Sequence, residues 1–154
     1  MIDKNQLRDL IDNTLLELGG KFYSEEAVAL LMGTAAVESA LGTYIRQIRG
    51  PALGIFQMEP ATYKDHLGWI YAQGNIFSDR LFDICNIIHE TNPENVMFNL
   101  KAATLFSRIH YFRKPGAIPT TVEGQAEYWK KYYNTYLGAG TVAKYIESYK
   151  KYVL

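Results

Sequence analysis

A mainly α-helical fold is what this sequence predicts, and three observations predict it. Apolar residues recur at intervals of three and four, as in Leu7, Leu10, Ile11, Leu15 and Leu18. Helix-capping residues and Gly or Pro breaks punctuate the chain at helix-length intervals. No stretch alternates apolar and polar residues for long enough to mark a sheet strand. The length, 154 residues, suits one domain spanning 1–154, and no repeat or low-complexity tract divides it.

The first helix is expected over Lys4 to Leu18, where Gly19-Gly20 ends it. Ser24 caps the second, with Glu25 and Glu26 in the first turn where the positive helix end favours them. Ala27 to Val37 carries no charge, so this helix is buried on most sides. Gly42 is expected as its left-handed terminator. Gly42, Gly50, Pro51 and Gly54 then mark an irregular loop through Gln57, with room for a short hairpin. Pro60 opens a third helix. A short helix follows over Ser78 to His89. Asn92-Pro93-Glu94 starts another, which runs to about Arg113. Thr120 with Glu123 makes a capping box for a helix through Trp129 and Tyr133. Gly138 and Gly140 break the chain, and Thr141 caps a last helix ending near Tyr152. The expected total is six or seven helices.

Composition narrows the function classes. Sixteen Lys and Arg balance sixteen Asp and Glu, so no charge excess points to a nucleic-acid or membrane-surface partner. Cys85 is the single cysteine, which excludes an internal disulfide, and its isoleucine neighbours make it a core residue. Asp3, Lys4, Arg8, Asp9, Asp12 and Glu17 interrupt the first eighteen residues, so no signal peptide is expected there. Synthesis in the cytoplasm without a transmembrane segment is the corresponding expectation. His66, His89 and His110 are too far apart in sequence to suggest a metal site. Neither a phosphate-binding loop nor a Ser-His-Asp order is evident, and no cofactor is expected.

One carboxylate stands out. Ala27, Leu31, Thr34, Glu38 and Leu41 recur at spacings of four and three and share one helix face. Glu38 thus occupies an apolar stripe in the last turn, where exposed carbonyls make the helix end negative. Burial and the helix end both disfavour ionisation and push its pKa upward. An acid that stays protonated near neutral pH suits glycosidic cleavage, because the departing sugar oxygen must be protonated as its bond breaks. The competing reading is a helix-end Glu exposed to solvent or paired with Arg46 or Arg49.

Three segments together resemble the soluble lytic transglycosylase and goose-type lysozyme group of the lysozyme-like superfamily. They are Glu38-Ser39, then Gly54-Ile55-Phe56-Gln57-Met58-Glu59-Pro60-Ala61-Thr62, then Tyr132-Tyr133-Asn134. Phe56 stands where that group usually has Met, and Tyr132 replaces an alanine. The resemblance covers about residues 24–134. It implies a lysozyme-like single domain with at most a small β-hairpin near the cleft. It also implies a peptidoglycan-degrading activity at the bond between N-acetylmuramic acid and N-acetylglucosamine.

For Glu38 the resemblance implies general acid, then base, first protonating the glycosidic oxygen and then accepting the muramyl C6 hydroxyl proton as a 1,6-anhydro ring closes. Gln57 matches a groove-lining amide; the alternative is an amide that satisfies loop backbone. Tyr133 matches a tyrosine whose hydroxyl bonds the catalytic glutamate; the alternative is a core aromatic. Asn134 and Ser39 are supporting residues whose other reading is local backbone or helix-end bonding. Glu59 lies where goose-type lysozymes carry an aspartate proposed to position water, which leaves a hydrolase open; otherwise it is a first-turn acid beside Pro60. Tyr44, Phe56, Tyr63, Trp129 and Tyr132 are candidates for sugar stacking, with core packing as the default for the Trp129–Tyr136 stripe.

The tail from Tyr128 to Tyr145 resembles small bacteriophage wall-degrading proteins, by analogy alone. Expected partners are therefore peptidoglycan glycan strands and phage virion proteins, with no nucleic acid and no membrane insertion. The expected route to the wall is holin release or virion delivery. Competing functions are a chitin-directed enzyme of the same fold and a non-catalytic phage structural or wall-binding protein.

Overall fold

Helix α1 (Lys4–Leu18) starts where Asp3 accepts hydrogen bonds from the backbone N–H groups of Asn5 and Gln6, and it buries Leu7, Ile11, Leu15 and Leu18. The computed structural model describes residues 1–154. A 3₁₀ turn at Gly20–Phe22 leads to α2 (Glu25–Ser39), capped by Ser24 through the N–H of Ala27. The remaining helices are α3 (Pro60–Ala72), α4 (Asn75–Ile84), α5 (Asn95–Phe98), α6 (Leu100–Phe112), α7 (Val122–Trp129) and α8 (Val142–Tyr152). The fold is mainly α and forms one body around a single large apolar core. No helix is long and apolar enough to cross a membrane.

Eight helices replace the six or seven expected, chiefly because Asn99 divides the segment from Asn92 to Arg113. Its extended backbone ends α5, while its side-chain oxygen accepts from the Ala102 N–H to cap α6. Its amide also donates to the Cys85 carbonyl at 2.8 Å. Helix α4 starts earlier than expected, after Gly74. It stops at Ile84 because Asn86 turns left-handed (φ 54°) and swings Ile87 into the core. Helix α7 is capped by Thr121, not Thr120, through the Gly124 N–H. The helix expected to continue through Tyr133 instead widens into a π-turn at Lys130–Asn134.

Helix α2 is central and packs against α1, α6, α7 and α8. Its uncharged run follows from this position, since Leu30, Leu31, Met32, Thr34 and Ala35 are all shielded from water. Burying each of the Leu30, Leu31 and Met32 side chains contributes about 1.5–3 kcal/mol. Gly33 is required by close packing, because a β-carbon there would overlap the ring and hydroxyl of Tyr145 from α8. The expected terminator Gly42 is preceded by two left-handed residues, Ala40 and Leu41, so α2 ends at Ser39. The early turn sends the Leu41 side chain into the core.

The loop from Thr43 to Glu59 holds only two isolated antiparallel bridges, Arg46 with Leu53 and Leu53 with Met58. Gly54 is its anchor. Its φ of 78° is left-handed, and a β-carbon there would overlap the backbone carbonyl of Val96 in α5. The tight turn therefore depends on the absence of a side chain.

Candidate active site

Glu38 stands half-buried in the last turn of α2, on the wall of a cavity of about 690 Å³. That cavity is lined also by Gln57, Glu59, Tyr133 and Asn134. The paired-arginine alternative does not hold, since Arg46 pairs with Glu94 at 3.3 Å and Glu38 forms no ion pair. Its one side-chain partner is Trp129, whose indole Nε1 donates to Oε1 at 3.0 Å. Burial raises the Glu38 pKa from its ordinary 4.5 to about 7, against a smaller opposing effect of the Trp129 N–H. Near neutral pH a large fraction of Glu38 therefore carries its proton.

The three segments singled out in the sequence converge through their backbones. The Ser39 hydroxyl donates to the Ile55 carbonyl at 2.6 Å and accepts from the Gly42 N–H at 2.9 Å. The Tyr133 hydroxyl donates to the Phe56 carbonyl at 2.7 Å. The helix bearing Glu38 and the π-turn bearing Tyr133 thus hold the 54–57 turn from two sides. In this arrangement Tyr133 does not bond Glu38, as the resemblance implied it would. The indole four residues earlier takes that place, because the π-turn directs the Tyr133 hydroxyl to the loop.

The other candidates divide between cavity and core. Gln57 lines the cavity, has left-handed backbone (φ 50°), and donates through Nε2 to the Gly54 carbonyl at 2.8 Å. Its side-chain oxygen is the part free to accept from a ligand. Glu59 is exposed at the start of α3 and makes no capping bond. Asn134 accepts from the Lys130 ammonium at 2.8 Å. The side chains of Ser39 and Phe56 lie in the protein interior, each 1% exposed, and neither lines the cavity. Of the stacking candidates, Tyr44, Trp129 and Tyr132 reach the cavity, whereas Tyr63 is fully buried and stacks on Phe106 at 4.0 Å.

Two features escape the sequence. Trp129 reads there as core, although its position four residues before Tyr133 on one helix is a signal that both share a face. His66 and His110, 44 positions apart, are in direct contact at 2.9 Å, and His110 also lines the cavity.

No family model, curated protein or solved structure matches the chain.

Trp129→Phe removes a donor that favours the charged carboxylate, so it is expected to raise the Glu38 pKa further, by about one unit. Carbon-13 NMR titration of the Glu38 carboxyl group checks this. An unchanged or lower midpoint would refute the role given to the indole.

Proposed function

We propose that the protein cleaves peptidoglycan glycan strands between N-acetylmuramic acid and N-acetylglucosamine, acting as a lytic transglycosylase with Glu38 as general acid and then base. The observation that carries this reading is a half-buried, unpaired carboxylate on the wall of a sugar-sized cleft, raised by burial to about 7. Such a group donates a proton to a glycosidic oxygen at neutral pH. It then accepts one from a nearby hydroxyl, so that the proton returns to the same residue. The carboxylate state in between is stabilised by the Trp129 N–H.

The rest of the cleft fits a polymer of sugars. Tyr44 and Tyr132 offer ring faces, while Gln57 and Asn134 offer amide groups. Tyr44 and Ile48 are exposed on the rim, where an extended strand has access. Delivery to the wall by holin release or from a virion belongs to the same proposal and rests on the resemblance alone.

A second reading has its own observation. Glu59 lines the same cavity as Glu38 and is exposed, which suits a carboxylate that positions water for hydrolysis. Digestion of purified sacculi followed by mass analysis of the fragments decides between them. Transglycosylation leaves anhydromuramyl ends, lighter by one water, whereas hydrolysis leaves reducing ends. Sacculus binding with no glycan released would overturn both.

A further inference from the structure

A file of polar side chains runs from the surface between α3 and α6 to the back of the cleft. Asp65 and Arg113 pair at 2.8 Å through the arginine Nη1. The same nitrogen lies 2.9 Å from His66 Nδ1. His66 Nε2 lies 2.9 Å from His110 Nδ1, with the two rings edge to face. His110 Nε2 lies 2.7 Å from the Tyr132 carbonyl, inside the π-turn.

The proton positions follow from the first donor. A guanidinium only donates, so His66 Nδ1 accepts. His66 Nε2–H then donates to His110 Nδ1, and His110 Nε2–H donates to the Tyr132 carbonyl. Each bond dictates the next, and one arrangement satisfies all of them, with both imidazoles neutral. An added proton on His66 would face the arginine N–H, and one on His110 would face the His66 N–H. Either event sets two N–H groups face to face at one joint of the file, although the His110 Nε2–H bond to Tyr132 is kept.

The far end of the file is part of the cleft. Carbonyls near a helix end lack intrahelical partners, and His110 supplies one to Tyr132. The His110 ring also packs edge-on against the Tyr133 ring, 4.8 Å between centroids.

We propose that His66 and His110 are positioning residues, a relay that holds the π-turn carrying Tyr133 and Asn134 against the cleft most firmly while both imidazoles are neutral. Acid then loosens one wall of the cleft. The relay itself stands on geometry; its effect on catalysis rests on the function proposed above. The charged and titratable groups facing the pair are Asp65 from α3, Arg113 and Lys114 from the end of α6, and Tyr133 from the π-turn. Burial is the largest influence and holds His66 at about 3 and His110 at about 4. At His66 the neighbouring His110 ring and the cations of Arg113 and Lys114 act in the same direction and Asp65 opposes them; at His110 the bond to the Tyr132 carbonyl is the main opposing influence, followed after the two cations by Asp65.

Both folded-state values lie below the ordinary 6.5. An opened turn therefore takes up protons that the closed one refuses, and closure weakens as pH falls below 6.5. The test uses the whole chain and compares wild type with His66→Gln. The glutamine amide offers an oxygen to Arg113 and an N–H to His110 but does not titrate. Hydrogen-exchange protection of the 130–134 amides, corrected for intrinsic rates, is expected to fall in wild type by at least about tenfold per pH unit below 6.5. His66→Gln should lower that slope by one proton. Nitrogen-15 NMR at pH 7 should show both rings as neutral Nε2–H tautomers.

Glycan release at neutral pH should stay within about twofold of wild type in His66→Gln, with its acid limb displaced to lower pH. Equal exchange slopes in the two proteins, or an Nδ1–H tautomer on either ring, overturn the relay. Absence of glycan release by wild type, with the exchange and NMR results as expected, overturns the proposed activity and leaves the relay standing.

Discussion

Glu38→Gln is expected to reduce glycan release from sacculi by about 10²–10⁴-fold, the range that a positioned general acid contributes. The amide keeps the side chain's shape and still accepts the Trp129 N–H, so the fold should persist. Its stability should in fact rise in alkali. The Glu38 pKa is about 7 in the folded protein and 4.5 ordinarily. The folded state therefore binds the proton more tightly, and the stability due to that proton is full below pH 4.5. It is lost as pH rises through 7. Removing the ionisable group avoids a loss of about 1–3 kcal/mol above pH 8, a range that allows for partial solvent access. Two measurements check this pair of outcomes: sacculus clearance at pH 6, and denaturant unfolding of both proteins at pH 6 and pH 9. A mutant that clears sacculi like the wild type sinks the catalytic role. A mutant no more stable at pH 9 sinks the buried-acid argument.

Gly54→Ala is expected to cost about 2–5 kcal/mol. Left-handed backbone costs a residue with a side chain about 1–2 kcal/mol, and crowding in a close-packed site adds about 1–3 kcal/mol. The obstacle is the Val96 carbonyl, a backbone atom with no rotamer to yield. Such a loss is a large share of the 5–15 kcal/mol that typically holds a domain of this size together. The turn also positions Gln57, whose N–H and side-chain amide both bond the Gly54 carbonyl. Glycan release should therefore fall with stability. Urea unfolding midpoints measure the effect, and a shift equivalent to less than about 0.5 kcal/mol would contradict the packing described for this turn.

Much of this was legible in the residues, where the cause was local. Ser24 and Thr141 cap their helices as expected because a capping bond reaches only two or three residues along the chain. Glu38 was legible because a lone charge ending an uncharged helix is conspicuous. The break at Asn99 was not, since its amide is held by the Cys85 carbonyl fourteen residues away. The Trp129 contact was hidden for a similar reason. Helical spacing placed the indole in the core, where it does lie, but the direction of its N–H depends on how α7 packs against α2. The resemblance placed Tyr133 beside the cleft but assigned its hydroxyl to Glu38, because no local signal announces a π-turn. The His66–His110 contact joins two helices, and periodicity within either one is silent about it.

Two neighbouring segments beside the cleft differ in how firmly they are held. Ile55 and Phe56 are latched by Ser39 and Tyr133, each from a different element, so the turn behind the cleft moves only if two helical segments move with it. Every residue from Thr43 to Gly50 is exposed, and the segment is held to that turn by a few backbone bonds, Gln47 to Ala52 and Gly54 to Ile45, beside the Arg46–Glu94 ion pair. A firmly held turn thus carries a lightly held segment at the edge of the cleft. A ligand entering the cleft would displace the exposed segment more readily than the turn that anchors it.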